Sequence, residues 1–317
     1  MKTVLIAGAG QLGSRHLQGV KQSEHELDIW VYDPSKDALI IAEERYKQIK
    51  DISQKKVHFI QTMEEIPQNI DIAIIASSSK PRYAIVTELL YSHNVRYLIL
   101  EKFLFPRMSD YDNIASLLLE KKVKAYVNCP RRMYECYDII KSQIDNTKPI
   151  AFSMSGKNWG LCCNSIHFID IFMYISGEKD YKINLDALSN EVIDSKRVGY
   201  IELLGTIDIT TCNGHKLTLT STMEYEDEPH IIINNGNRNI NLNEGTGELN
   251  IDGKIYKSRL KYQSELSGTI VDQLINIGDC KLTPYNESAI YHKRFLSKIA
   301  PFINRIKGWT SDSCPIT

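Results

Sequence analysis

Three hundred and seventeen residues, 43% apolar and 24% charged, exceed one ordinary hydrophobic core and suit two globular domains, not a disordered or fibrous chain. Thirty-eight Lys and Arg against thirty-nine Asp and Glu leave a formal charge of −1, which excludes a dedicated nucleic-acid binder with its basic excess. No apolar run approaches the roughly 18–20 residues that span a bilayer, and seven scattered cysteines fit reduced thiols of a cytoplasmic protein better than a disulfide framework.

The first apolar run, Thr3-Val4-Leu5-Ile6-Ala7, ends in glycine. That is the pattern of a strand buried on both faces and not of a signal peptide. Helical spacing over residues 11–23 leads to a second strand at 28–33 and a second helix over 35–49. A weak strand at 57–61 and a stronger one at 70–76 precede a helix over 81–92, a strand at 97–100, a helix near 109–121 and a strand at 125–128. This alternation predicts a Rossmann-type, doubly wound parallel sheet with helices on both faces, occupying residues 1–130.

Residues 131–317 change character. A helix at 163–176 is followed by strands at 200–211, 216–223, 230–234, 239–243 and 248–256. Asn213-Gly214, Asn235-Gly236 and Asp252-Gly253 punctuate them, and such pairs are strong hairpin signals. The prediction is a mostly antiparallel open sheet in a substrate-binding and oligomerisation domain. Helices at 265–278 and 286–304 follow, and the last dozen residues are expected to fray.

Between the first strand and helix stands Gly8-Ala9-Gly10-Gln11-Leu12-Gly13, a G-x-G-x-x-G turn. Gly8 permits the tight turn, Gly10 lets a pyrophosphate reach the backbone, and Gly13 lets helix and strand pack closely. Gln11 and Leu12 lie in the first helical turn, whose amides and partial positive charge face the phosphates. Asp33 stands at the end of the second strand, where a carboxylate accepts from an adenine-ribose diol and repels a 2′-phosphate. The cofactor expected is NAD. Ser35 and Lys36 beside the aspartate weaken that preference and keep NADP open.

Three further segments carry a family resemblance. Gly13-Ser14-Arg15-His16 resembles the G-x-R-H that follows the glycine turn in the Gfo/Idh/MocA oxidoreductase family. Glu101-Lys102 resembles its E-K-P signature, with Phe103 in the proline position, and GLCCNSIHFID from Gly160 to Asp170 resembles its D-x-x-x-H-x-x-D helix, with Cys163 in the position of the first aspartate. The order of these segments and the antiparallel second domain extend the resemblance over nearly the whole chain. It implies an NAD(P)-dependent oxidoreductase that moves hydride between nicotinamide and a hydroxyl-bearing carbon of a sugar, polyol or nucleotide-activated sugar. It also implies a homodimer or homotetramer packed sheet to sheet. Ser77 and Ser78, after the fourth strand, would line the nicotinamide side together with Glu101 and Lys102. The family includes redox-neutral members, so an epimerase or lyase using transiently reduced NAD is an alternative.

Loss of hydride from a carbinol needs a base within reach of the hydroxyl proton, and His167 is the candidate. Lys102, at a strand's carboxyl end, can stabilise a developing alkoxide. Cys163 replaces the usual aspartate four residues before His167, so no carboxylate is available there; altered substrate, altered chemistry and a non-catalytic NAD-binding regulator all remain open. Asn164 shares the face of His167, Asp170 is placed to orient its ring, Trp159 to wall a sugar pocket, and Arg131 to bind an acidic or phosphorylated group. Adjacent Cys162 and Cys163 cannot readily chelate one ion from a helix, so no metal is expected.

Overall fold

The computed structural model describes residues 1–224 and 230–317. In chain order the first half runs β1 (Lys2–Ala7), α1 (Gln11–Lys21), β2 (Leu27–Tyr32), α2 (Lys36–Lys47), β3 (Lys55–Ile60), β4 (Asn69–Ile75), α3 (Ser79–Ser92), β5 (Asn94–Glu101), α4 (Met108–Glu120) and β6 (Lys124–Asn128). There follow α5 (Glu135–Gln143), β7 (Ile150–Lys157), α6 (Leu161–Ser176), β8 (Lys182–Asn184), β9 (Leu188–Asp194), β10 (Ile201–Thr210), β11 (Lys216–Thr222), β12 (His230–Asn235), β13 (Arg238–Asn243), β14 (Glu248–Ile251) and β15 (Lys254–Lys257). The chain closes with α7 (Gln263–Ile277), β16 (Thr283–Pro284) and α8 (Tyr285–Lys307). No helix among the described residues is long and apolar enough to cross a membrane.

The described residues form two compact units, one of Met1–Phe105, Ser109–Met133 and Lys261–Asn286, the other of Pro106–Met108, Tyr134–Leu260 and Glu287–Thr317. Residues 261–286, which the sequence groups with the second domain, therefore pack within the first unit.

The first unit holds a seven-stranded sheet ordered β16-β6-β5-β4-β1-β2-β3, parallel throughout its first six strands, with β16 antiparallel at the edge. Val4 stands between Ile29 and Ile72, and these side chains are fully buried. Such continuous apolar runs suit a sheet covered on both faces. Strand order reverses between β1 and β4, which opens a crevice at the strands' carboxyl ends. Helix α7 lies against α1 at backbone contact: a Cβ on Gly268 would stand 2.5 Å from the Gly19 carbonyl oxygen, and one on Gly19 2.8 Å from the Ser267 Cβ.

The second unit holds a nine-stranded, mostly antiparallel sheet ordered β15-β14-β13-β12-β7-β11-β10-β8, with β9 also on β10. Its centre is β7, parallel to β11 and antiparallel to β12. Phe152, Met154, Leu217, Leu219, Ile231 and Ile233 form the buried face, while Ser153, Ser155, Thr218, Thr220 and Asn234 lie on the other. Helix α6 covers the apolar face, with Phe172 edge-on to Phe152 at 6.3 Å.

Two local expectations change. The strand expected over 248–256 is a hairpin, because Asp252 and Gly253 both take positive φ, 51° and 89°. The tail expected to fray is docked: the Cys314 amide donates to Pro106 O at 2.9 Å, the Ile201 amide donates to Pro315 O at 2.9 Å, and Ile316 is fully buried. Burial of Cys314 and Ile316 in the second unit outweighs the turn-forming Gly, Ser, Asp and Pro around them.

Candidate active site

The glycine turn runs from β1 into α1. Gly8 has φ +102°, and a Cβ there would stand 2.9 Å from the Ser77 amide nitrogen, so its bareness lets the loop after β4 close against the turn. A Cβ on Gly13 would lie 1.7 Å from the Gly8 carbonyl oxygen. A Cβ on Gly10 would meet nothing within 4 Å, leaving the backbone at the start of α1 open to an incoming group. Gln11 opens that helix on the exposed side and Leu12 is half-buried behind it.

Asp33 closes the other flank. Its Oδ2 accepts the Ala9 amide at 2.7 Å and its Oδ1 the Ser35 amide at 2.9 Å, so one carboxylate holds the turn and the exit of β2 together. The half-buried aspartate thus stands fixed beside the open backbone at Gly10.

At the ends of β4 and β5 the arrangement is internal. Ser78 is the residue before α3, and the Ser77 hydroxyl oxygen is buried with no hydrogen-bond partner among the described residues. Arg82, on α3, donates to the backbone carbonyls of Ser77, Phe103 and Leu104. Glu101 is 3% exposed, and its Oε1 accepts from His16 Nε2 at 2.8 Å and Asn128 Nδ2 at 2.5 Å. Asn128 Nδ2 also donates to Gln263 Oε1, and His16 Nδ1 lies 2.9 Å from Ser267 Oγ, so α1, β5, β6 and α7 share one buried network. Lys102 follows Glu101 at the strand's end, half-buried, and its peptide bond to Phe103 is cis. Arg131 and Arg132 lie on a single 3-10 turn, Pro130–Met133, directly after β6.

In the second unit α6 begins at Gly160, φ +82°, which has no side chain to cap it. The cap comes from Glu202 on β10: Oε2 accepts the Cys162 amide at 2.7 Å and Oε1 the Cys163 amide at 3.0 Å. A buried carboxylate on two first-turn amides meets both the unsatisfied donors and the positive end of the helix dipole. Sequence reasoning missed Glu202, which lies some forty positions away. Glu202→Gln keeps the volume but turns an amide group toward one of those N–H donors. It is expected to cost about 1–2 kcal/mol of stability, read as a lowered denaturant midpoint; an unchanged midpoint refutes the cap.

Around this helix start, Trp159 Nε1 donates to Thr220 O at 2.7 Å and its ring stands edge-on to Phe168 at 5.4 Å. Asn164 Nδ2 donates to Trp159 O at 2.7 Å, so the amide expected to meet substrate holds the Trp159 backbone. Cys163 and His167 are half-buried one turn apart, and Asp170 is fully buried three residues on. Burial, reinforced by Glu202, pushes the Cys162 thiol well above its usual range, so it offers no thiolate.

Residues 2–129 match the family model described as "Oxidoreductase family, NAD-binding Rossmann fold". No curated protein matches the chain. Among solved structures, an oxidoreductase from Agrobacterium radiobacter in complex with NAD+, L-tartaric acid and magnesium is similar at TM-score 0.74 and 15% identity, over 97% of this chain and 99% of that one. UDP-N-acetylglucosamine 3-dehydrogenase from Acidithiobacillus ferrooxidans gives 0.69 at 13% identity, over 98% and 99%. The super-repressor mutant of Gal80p from Saccharomyces cerevisiae gives 0.72 at 16%, over 97% and 96%. At these identities the likeness shows the fold.

Proposed function

We propose that this chain, whose residues 2–129 match the model of the Gfo/Idh/MocA oxidoreductase family with its NAD-binding Rossmann fold, is a dehydrogenase or reductase of the hydroxyl-bearing carbon of a sugar, polyol or nucleotide-activated sugar. The observation that carries it is the cradle at Gly10: open backbone at a helix N-terminus, braced by Gly13 packed on Gly8 and flanked by the fixed Asp33 carboxylate. These residues fit a dinucleotide, and the Ser77 hydroxyl, buried and without a hydrogen-bond partner among the described residues, adds a polar group at the end of β4. Gly8, Gly10 and Gly13 with the first-turn amides of Gln11 and Leu12 would hold the pyrophosphate, and Asp33 the adenine ribose. Bound nicotinamide supplies the hydride donor or acceptor.

The chain's own residues then handle the proton and the charge. His167 takes the hydroxyl proton of an alcohol substrate, or returns it to the product oxygen in the reverse sense. The Lys102 ammonium stabilises negative charge on that oxygen. Asp170 orients the imidazole, Trp159 packs on the sugar face, and Cys163 and Asn164 shape the side next to the reacting carbon. Arg131 recognises an acidic or phosphorylated substituent in a bidentate manner. The UDP-sugar dehydrogenase among the similar folds agrees with an activated-sugar substrate. A homodimer or homotetramer in the cytoplasm, joined through the polar outer face of the second sheet, completes the proposal; light scattering of the purified chain reads the oligomer.

The experiment is a titration with NADH and NADPH followed by tryptophan fluorescence, then a panel of sugars, polyols and nucleotide sugars. Saturable binding with NADH preferred, and turnover on a panel member, is the expected result; absence of binding refutes it. Cofactor that survives purification without exchanging points to the redox-neutral epimerase or lyase. Binding without turnover points to a non-catalytic regulator, a reading favoured by Cys163 in the aspartate position and by the likeness to a repressor fold. Asp33→Ala is expected to narrow the NADH-over-NADPH preference about tenfold, the equivalent of about 1.4 kcal/mol, measured as the ratio of the two dissociation constants. An unchanged ratio shows that Asp33 does not read the ribose.

A further inference from the structure

Arg82 is one of the largest fully buried side chains in the molecule, 1% exposed. A buried guanidinium is costly unless its donors are satisfied. Here Nη1 donates to the carbonyls of Phe103 and Leu104 after β5, the latter at 2.8 Å, and Nη2 to that of Ser77 after β4, so the side chain joins two separate segments. Phe103, Leu104 and Phe105 lie outside any helix or strand and are fully buried. Their far end is held by Tyr111, whose hydroxyl donates to Phe105 O at 2.9 Å and accepts the Phe105 amide at 3.3 Å. Arg82 holds the near end, adjacent to Lys102.

Strand order says what these segments would face. A dinucleotide whose pyrophosphate lies at the turn after β1 and whose adenosine lies toward β2 and Asp33 must extend its other half toward β4 and β5. Those are the two strands whose exits Arg82 ties together. We infer that Arg82 is the positioning residue for the nicotinamide half of the cofactor site, acting through the backbone of Ser77 and of the segment that follows Lys102; this rests on the NAD reading above. Being buried, Arg82 touches no ligand itself. Lysine cannot replace it, because a single compact ammonium lacks the planar fork that reaches carbonyls of two segments at once.

The test compares NADH with ADP-ribose, which carries the adenosine and the pyrophosphate but no nicotinamide. In Arg82→Lys, confirmed folded by circular dichroism, the dissociation constant for NADH is expected to rise about tenfold, with ADP-ribose within about twofold and the fluorescence gain of bound NADH reduced. Equal losses for both ligands, or no loss for either, overturn the inference. Should Arg82→Lys fail to fold, hydrogen exchange on the parent chain decides: residues 77–82 and 103–105 are expected to slow with NADH and not with ADP-ribose, and equal slowing overturns it. Failure of the parent chain to bind either ligand overturns the NAD reading itself, an outcome distinct from failure of the Arg82 role.

Discussion

Gly13→Ala is expected to abolish NADH binding and to destabilise the chain by about 3 kcal/mol or more. The added methyl would stand 1.7 Å from the Gly8 carbonyl oxygen and 2.8 Å from its carbon, with the Ala76 Cβ at 3.4 Å behind it. A backbone carbonyl cannot rotate away as a flexible side chain can, so α1 would have to lift off the turn that orients its first amides. The instructive control is Gly10→Ala, whose methyl meets no protein atom within 4 Å. That variant is expected to keep the parent's thermal midpoint while losing NADH affinity, because its methyl occupies the space a phosphate needs. Calorimetry and an NADH titration read the pair. Equal midpoints for both variants would show that the turn tolerates a Cβ at Gly13 and that the packing account is mistaken.

His167→Ala is expected to lower kcat by about 10²–10⁴-fold, the usual contribution of a positioned proton acceptor, and to leave the NADH dissociation constant within about threefold. The asymmetry follows from placement. His167 lies on α6, in the unit that carries the antiparallel sheet, whereas the glycine turn and Asp33 belong to the parallel one. Initial rates on whichever panel sugar turns over, with the NADH titration alongside, measure both quantities. Retained turnover would remove His167 from proton transfer and leave Lys102 as the remaining candidate. Loss of turnover together with loss of NADH affinity would mean that the substitution damaged the fold and not the chemistry.

The parts legible in the sequence are those governed by neighbours along the chain. Apolar runs near residues 3–7, 28–33, 70–76 and 97–100 became β1, β2, β4 and β5, because a strand buried on both faces leaves an unbroken apolar signature. The glycine turn was legible because its three glycines answer constraints only a few residues apart, and Asp33 because the length of one strand–helix–strand unit sets its distance. The strand β7 alternates apolar and polar residues from Ile150 onward, a signal that was present and went unread, as did the short helix α5.

What only tertiary structure decided is a set of pairings between groups far apart in sequence. Glu202 caps α6 from β10; Glu101 turns inward to His16 and Asn128; Arg82 ties the exits of β4 and β5; α7 returns to α1 across the Gly19 and Gly268 contact; and Cys314 and Ile316 dock the tail. Read locally, Glu101 and Glu202 are ordinary strand glutamates, Arg82 an ordinary helix arginine, and Gly19 and Gly268 ordinary helix glycines. Their roles arise when folding buries a polar group that must find a partner, or brings two backbones so close that only glycine fits. Chain-local physics determined the glycine turn, Asp33 and the alternation that builds the sheet. The burial of charge and of backbone polar groups, a property of the whole fold, determined what holds the candidate site in place.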